Sequence, residues 1–502
     1  MKKVLLLKWT SLVLSVVVIT GLISGCGNEQ SEVNPLDVDA PLTINTALLY
    51  NEQHSSYDEK AESRRKEILN TEDTIQPSKK GQTYYISSKG DDNNDGKSKE
   101  TPWRSAANVG IHSSDIKEGD VVLFERGGLY RGYFKLTSGV SYGAYGEGCK
   151  PTIYGSLRDY AYPELWEKTD VENVWKMNVD GMTDIGNVIF DHGKKCGIKK
   201  LDDKLYSDGD FYHDVSEGIL YLYMKNGNPA NNYYDIEICT NDHIMEGLSN
   251  AHDIKIENLC LKYTGAHGIC FRGGAKNITV TGCEIGYIGG SMLNGMNVRY
   301  GNGFEVVDNC ENITVTDCWI YQCYDAGITN QSSYEPGCLQ KNINFSDNLI
   351  EYCVYNIEYY VSDTNGRMEN VTFANNILRF AGYGFGSVDR IGSNTSAVAN
   401  ICNYIRTMPS KNFVIKNNIM DSPQYYQMTV GYPNDPKKAM GPEVKNNTYI
   451  QRENQVAMYK IGGIVQKTLY AENEEELKAA IARIDSSPVS IKYEKSEKGE
   501  EN

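Results

Sequence analysis

Residues 277–285 read NITVTGCEI, and residues 312–320 read NITVTDCWI. Five more copies, the last of them faint, occupy residues 253–261, 342–350, 370–378, 412–420 and 443–450. Each copy alternates apolar and polar residues, as a half-buried strand does. The starts of the first six copies lie between 24 and 42 residues apart. A constant strand with loops of variable length predicts one coil of a solenoid for each copy.

The positions shared by the copies predict the filled interior of this solenoid. One apolar row is Ile254, Ile278, Ile313, Ile343, Val371 and Phe413. At the turn after each strand, a second row is Leu259, Cys283, Cys318, Asn348, Asn376, Asn418 and Asn447. Buried asparagines stacked from coil to coil satisfy backbone groups at the turn, and unrelated strands of a sandwich would not repeat them. The sequence therefore predicts an all-β fold, a right-handed parallel β-helix.

The N-terminal part carries a second signal. Strands are predicted at residues 84–87, 119–124 and 142–146, with a short capping helix opening at residues 101–105. This layout resembles the first coil of the pectate-lyase-like right-handed β-helix superfamily. Residues 209–214 and 218–223 resemble a hairpin inserted in β-helix glycoside hydrolases. The resemblance covers about residues 83–450 and implies a carbohydrate-active bacterial protein, but unrelated chemistries share this scaffold.

These signals divide the chain into six parts. We expect a signal peptide (1–25), a linker with one short helix (26–82), an N-terminal cap with the first coils (83–159) and an inserted hairpin module (160–240). The main β-helix (241–470) and a C-terminal capping helix with a charged tail (471–502) follow. Asn473 with Glu476 three residues later predicts the start of the last helix. Order is expected to begin at Thr83.

The N-terminus predicts export. After two lysines and an apolar run, residues 22–26 read LISGC, which resembles the bacterial lipobox. The resemblance implies cleavage before Cys26, a lipid on its sulfur, and a position at the cell membrane facing the extracellular side. An ordinary membrane-spanning anchor is the alternative, because about 20 apolar residues can cross a bilayer. The other twelve cysteines show no zinc-site spacing, and we expect mostly free thiols in the core.

Charge restricts the partners. The net charge of −16 makes nucleic acid a poor partner, and we expect a monomer that binds carbohydrate. No cofactor is required by this interpretation. Calcium is a weak possibility at Asp91, Asn93 and Asp95, where the start of a calcium loop is followed by Pro102 at the position that normally holds Glu. A turn held by side-chain hydrogen bonds is the alternative.

A second strand in each coil contains Gly or Asn followed by an apolar residue. Aligning the coils on this pair identifies the candidate catalytic residues. If the apolar residue points inward, the next residue points outward, which gives the row Cys270, Glu305, Thr329, Glu358 and Gly386. Asp325 lies at the edge of the same patch on the middle coil. Glycoside hydrolysis requires two carboxylates, and their separation distinguishes inversion from retention. We therefore predict Glu305, Asp325 and Glu358 as catalytic residues.

Other residues near this row are predicted to contact sugar through hydroxyl, amide, aromatic or charged groups. They are His267, Tyr300, Asn302, Thr329, Asn330, Gln331, Tyr359, Tyr360, Asp389 and Arg390.

Three functions are compatible with these residues. An extracellular glycoside hydrolase is favoured because the central row is acidic. A polysaccharide lyase acting on a uronate is the first alternative, with Arg272 or Arg390 as the base. A non-catalytic glycan-binding protein or adhesin is the second.

Overall fold

Three sheets of ten strands each surround one continuous hydrophobic core. The computed structural model describes residues 56–293, 298–332, 335–362, 365–388, 390, 398–403, 409–432, 441–451, 455–461 and 464–494. Within each sheet, nearly all neighbouring strands are parallel and come from successive coils. The predicted parallel β-helix is confirmed.

The first sheet contains the repeated segments and is called the repeat sheet. Its strands are Thr83–Ile86, Val121–Glu125, Ser141–Tyr145, His252–Glu257, Ala275–Thr281, Cys310–Thr316, Leu339–Ser346, Arg367–Ala374, Ser410–Lys416 and Glu443–Lys445. In register, Ile278, Ile313 and Ile343 face one another across neighbouring strands. These isoleucines are buried in the core, as the repeat predicts.

The second sheet, called the helix-covered sheet, follows the repeat sheet in each coil. Its strands are Leu129–Arg131, Thr152–Tyr154, Cys260–Thr264, Glu284–Ile288, Trp319–Cys323, Leu349–Glu351, Ile377–Arg379, Ile419–Asp421, Thr448–Gln451 and Ser490–Tyr493.

The third sheet, called the carboxylate sheet, completes each coil. Its strands are Phe134–Leu136, Met245–Gly247, Ile269–Phe271, Phe304–Val307, Ala326–Ser332, Tyr355–Val361, Ala399–Asn403, Tyr426–Tyr432, Gln455–Ile461 and Ile464–Tyr470. The last two strands pair antiparallel and end the parallel stack.

The turn between the first two sheets shows why the repeat needs Asn, Asp or Gly. Asp317, Asp347 and Asn375 adopt positive φ at this turn, a conformation that Asn and Asp tolerate better than other residues with side chains. The next residue begins the internal ladder. Asn348 donates to Asn376, and Asn376 donates to Asn418, at 2.9–3.0 Å.

This ladder continues to the end of the solenoid. Asn418 donates to Asn447, whose side chain donates to the buried carboxylate of Asp485. Asp485 follows the C-terminal helix Glu474–Ile481. Asn473 caps that helix by accepting the Glu476 amide, and the Glu476 carboxylate accepts the Glu472 amide. The predicted capping residues are therefore confirmed.

The inserted module has its own hydrophobic cluster, built around Trp166, Phe190, Phe211 and Leu222. The predicted hairpin is present, because Asp210–Asp214 pairs antiparallel with Ile219–Tyr223. The other strands of the module are Glu167–Lys168, Val174–Asn178, Ile185–Phe190, Lys195–Cys196, Ile198–Lys199 and Ile236–Thr240. Short helical segments are Pro163–Leu165, Asp191–Gly193 and Pro229–Asn232.

Ordered structure begins before Thr83, which corrects our expectation. The helix Ser56–Leu69 buries Ala61 and Ile68. Arg65 donates to the buried Glu351 of the helix-covered sheet at 2.9 Å, and Arg379 of that sheet pairs with Asp58. The helix is mostly polar, so its composition resembled a linker, but Arg65 and Asp58 pair with charged groups that the sheet has buried. A further short helix in the N-terminal part is Ala107–Ile111.

Eleven of the twelve described cysteines are buried, which agrees with the expected position of these residues in the core. Among the described residues, no helix has both the length and the apolar composition needed to cross a membrane.

Candidate active site

Three successive coils bring the predicted carboxylates onto one face. Phe304, Ile328 and Ile357 align across neighbouring strands of the carboxylate sheet and point into the core. Their successors Glu305, Thr329 and Glu358 also align and lie on the opposite side. The structure therefore places the two glutamates two strands apart with Thr329 between them.

The row extends in both directions. Glu246 aligns with Cys270, and Cys270 aligns with Glu305. On the other side Glu358 aligns with Cys402. The prediction of Gly386 at this position is wrong, because Phe385–Ser387 form a short helical turn. The strand Ala399–Asn403 continues the sheet instead.

Both glutamates are nearly inaccessible, with exposures of 3% for Glu305 and 4% for Glu358. A carboxylate on a solvent-exposed strand surface would be far more accessible. A buried carboxylate is costly unless hydrogen bonds or opposite charges compensate it, so the surroundings of each glutamate determine its ionisation.

Glu305 receives two hydrogen bonds and has a histidine close to its other oxygen. Asn302 and Gln331 each donate a side-chain amide to Oε2 at 2.6 Å, and His267 Nε2 lies 3.2 Å from Oε1. Burial raises the pKa of Glu305 to about 7, although the two amide donors oppose the shift. Glu305 therefore changes its ionisation near neutral pH.

Glu358 has fewer compensating contacts. Thr329 Oγ1 donates to its Oε2 at 3.0 Å. Burial raises the pKa of Glu358 well above its ordinary value, and the nearby charge of Asp325 raises it further. Burial and the neighbouring charge therefore both favour the protonated form of Glu358.

Asp325 is held beside both glutamates by an arginine. Arg390 Nη2 donates to Oδ1 of Asp325 at 2.5 Å, and Arg390 Nη1 donates to the carbonyl of Tyr324 at 2.8 Å. The guanidinium groups of Arg390 and Arg299 both lie over the Tyr324 ring. Arg299 also donates to the carbonyl of Gly186, so the inserted module contacts this side of the site.

A second charged group borders the Glu246 end of the row. Arg272 donates to Glu246 at 3.0 Å and lies 2.9 Å from His243 Nε2. His243, Glu246 and Cys270 form the one group of three possible metal ligands found in the described part of the chain. The guanidinium of Arg272 contacts two of these groups, so the charge that a cation would supply is already present.

Several residues predicted to bind sugar border the carboxylates. Tyr300 packs edge-on against His267 and donates to Asn241 Oδ1 at 2.6 Å. His267, Asn302 and Gln331 contact Glu305, as described above. The side chains of these three residues therefore face a candidate catalytic carboxylate instead of open solvent.

Two predicted sugar contacts are placed elsewhere. Asn330 is fully buried and donates to Gln340 at 2.9 Å. Tyr359 packs against Phe373 and Phe413 in the core. These positions correct our predictions for Asn330 and Tyr359, since strand alternation directs both inward when Thr329 and Glu358 point outward. Tyr360 aligns with Gln331 on the neighbouring strand, and its contact with sugar stays a prediction.

Two predicted positions, Asp389 and Cys26, lie outside the described residues. At the proposed calcium loop, Asp91 accepts the backbone and side-chain amides of Asn93, and Asp95 accepts from Lys97 and Thr101. These are the hydrogen bonds of the alternative turn interpretation. Calcium binding there stays a prediction.

Sequence reasoning missed His243 and Glu246. The strand Met245–Gly247 has Ile244, rather than Gly or Asn, before its inward residue. This strand therefore lacks the Gly/Asn–apolar pair that aligned the other coils, so its place in the row was not predicted.

Comparisons with known proteins found distant similarity to solved structures. No family model and no curated protein matches the chain. Among solved structures, the chain is similar to a glycoside hydrolase at 10% identity, covering 82% of this chain and 97% of that one, with a TM-score of 0.39. It is similar to XylC bound to xylose at 12% identity, covering 83% and 85%, with a TM-score of 0.39. It is also similar to an alginate lyase from Paenibacillus sp. at 12% identity, covering 69% and 85%, with a TM-score of 0.32.

Proposed function

We propose that the protein is a glycoside hydrolase that cleaves a poly- or oligosaccharide with Glu305 and Glu358. The observation that carries this proposal is the pair of buried carboxylates on one row with opposite surroundings. Glu305 accepts two amide hydrogen bonds, whereas Glu358 accepts one from Thr329 and lies beside the charge of Asp325. Two carboxyl groups whose environments separate their pKa values are the arrangement that acid–base cleavage requires.

The surroundings assign the two roles. Hydrogen bonds favour the charged form of the Glu305 carboxylate, so Glu305 acts as the base that removes a proton from water. Glu358 keeps its proton because of burial and the Asp325 charge, so it acts as the acid that protonates the leaving oxygen. Asp325, fixed by Arg390, supports the acid by keeping negative charge nearby.

The spacing favours inversion of the anomeric centre. Adjacent strands lie about 4.8 Å apart, so the Cα atoms of Glu305 and Glu358 lie about 9–10 Å apart. Inverting hydrolases hold their carboxyl groups about 6.5–9.5 Å apart, which leaves room for a water molecule. Side chains that lean toward Thr329 fit this range.

The charge balance favours a neutral sugar over a uronate. A lyase needs positive charge to neutralise the substrate carboxylate. In the described part of the site, Arg272 pairs with Glu246, and Arg390 pairs with Asp325. Burial lowers the pKa of His267, so it supplies no charge at neutral pH. The remaining carboxylates would repel an acidic sugar.

The test is a panel of neutral and acidic glycans incubated with the purified protein. Hydrolysis releases new reducing ends without ultraviolet absorbance, whereas elimination creates an unsaturated uronate that absorbs. The proposal predicts reducing ends from a neutral glycan, and an unsaturated product would replace it with the lyase alternative. We also propose that Cys26 anchors the enzyme at the outer face of the cell membrane, where a polymeric substrate is accessible.

A further inference from the structure

His267 is enclosed between two partners that determine where its ring proton lies. Its Nδ1 lies 2.9 Å from the backbone nitrogen of Asn302, which donates a hydrogen bond to it. An imidazole nitrogen that accepts a hydrogen bond carries no proton, and a neutral ring then has its proton on the other nitrogen. The ring proton of His267 is therefore on Nε2, the atom that faces Glu305 Oε1 at 3.2 Å.

The ring is also kept uncharged. Protonation of Nδ1 would place two N–H groups against each other at the Asn302 contact. His267 is 4% exposed, its ring stacks on that of His243 at 4.9 Å, and Arg272 contacts Nε2 of His243. Burial lowers the pKa of His267, and the charges of His243 and Arg272 lower it further. A neutral His267 presents an N–H to Glu305 without neutralising its charge.

The contacts of Glu305 leave one oxygen available. Each carboxylate oxygen can accept about two hydrogen bonds. Oε2 accepts from Asn302 and Gln331, whereas Oε1 accepts from neither and lies 3.2 Å from His267 Nε2. Asn302 cannot reverse its amide without cost, because its Oδ1 accepts the backbone N–H of Ala326 at 2.8 Å. The remaining acceptor position lies on Oε1.

We propose that His267 is a positioning residue for Glu305: its neutral Nε2–H holds Oε1 so that the free lone pair of this oxygen faces the attacking water. This inference rests on the proposed function, in which Glu305 is the base. His267 then contributes to turnover through the orientation of the carboxylate and makes no contact with the sugar.

Two substitutions separate the donor from the acceptor of the ring. In His267→Gln, the longer side chain presents an amide N–H near the position of Nε2 and can still donate to Glu305. In His267→Asn, the shorter side chain can accept the Asn302 amide but does not reach Glu305. Hydrogen bonds to charged groups are worth about 10- to 100-fold in an equilibrium.

We expect kcat of His267→Asn to fall by about 10- to 100-fold with little change in KM, and His267→Gln to recover most of that loss. His213 provides the matched control, because its buried Nδ1 likewise accepts a backbone N–H, that of Ile185, at 3.1 Å. His213→Asn should keep kcat. Equal losses in both His267 variants, or a change confined to KM, would overturn the proposal.

A spectroscopic measurement tests the same arrangement without using activity. Nitrogen-15 NMR of histidine-labelled protein, with His267→Gln to assign the signal, distinguishes the two neutral tautomers and the charged ring. We expect the Nε2–H tautomer at neutral pH. A charged ring or the Nδ1–H tautomer would refute the inference. If the tautomer is as expected but no glycan is cleaved, the proposed function fails and the positioning role fails with it, while the hydrogen-bond assignment stands.

Discussion

Acidification should inactivate the enzyme at an unusually high pH. As a base, Glu305 works only when it is ionised, and burial raises its pKa to about 7 from the ordinary value of 4.5. The dependence of kcat/KM on pH reports the essential groups of the free enzyme. Below about pH 7, each pH unit should therefore reduce kcat/KM about tenfold, so the value at about pH 5 should be about 100-fold below the plateau.

Initial rates of reducing-end release, measured at substrate concentrations well below KM, give this profile directly. Gln331→Leu provides a second perturbation, since it removes a donor that favours the charged form of Glu305. The acidic limb of this variant should move to higher pH. A wild-type limb near the ordinary pKa of Glu, or a limb unchanged by Gln331→Leu, would refute the assignment of Glu305 as the buried base.

Three further predictions concern stability and processing. The pKa of Glu358 is raised in the folded state, so its ionisation destabilises the fold as pH rises above the pKa of the unfolded state. Glu358→Gln should therefore have a higher melting temperature than wild type at alkaline pH and lose this advantage at about pH 4, as measured by thermal denaturation. Arg379→Met should lower the free energy of unfolding, measured by urea titration, by about 3–5 kcal/mol, because the buried carboxylates of Glu351 and Asp421 lose their pairing with Arg379. An unchanged free energy of unfolding would contradict a stabilising role for these ion pairs. Cys26→Ser should give an unprocessed protein without lipid by mass spectrometry, and a wild-type chain that starts elsewhere than residue 26 would exclude the lipobox interpretation.

The parallel β-helix could be predicted because its constraints are local and repeated. Every coil needs a residue that tolerates positive φ at the same turn, followed by a residue that fits the internal ladder. Asn375 and Asn376 show both requirements in adjacent positions. Such a pattern is visible in one sequence without any knowledge of distant contacts.

The candidate site could be predicted only in part, because strand alternation is a local signal whereas burial depends on distant contacts. Strand alternation places Glu305 and Glu358 on one face, and the structure has them there. Alternation also directs Asn330 inward, so its prediction as a sugar contact conflicted with a signal already present. Burial of the two glutamates could not be anticipated, because it depends on Asn302, Gln331 and other side chains that meet only after folding.

The helix Ser56–Leu69 illustrates a different limit. Its sequence has little apolar character, and its attachment depends on Arg65 and Asp58, which pair with Glu351 and Arg379 on a distant part of the chain. Single charged residues carry no signal for such partners. Long-range ion pairs of this kind are therefore invisible to pattern analysis of one sequence.

The central claim is tested most directly by the rate of glycan hydrolysis in amide variants of the two glutamates. Glu305→Gln and Glu358→Gln should each reduce turnover of the cleaved glycan by about 10²- to 10⁴-fold. Glu311→Gln, at a half-buried position of the repeat sheet where Glu311 pairs with Lys341, serves as the matched control and should keep the wild-type rate. A folded double variant of Glu305 and Glu358 with undiminished activity would contradict the account.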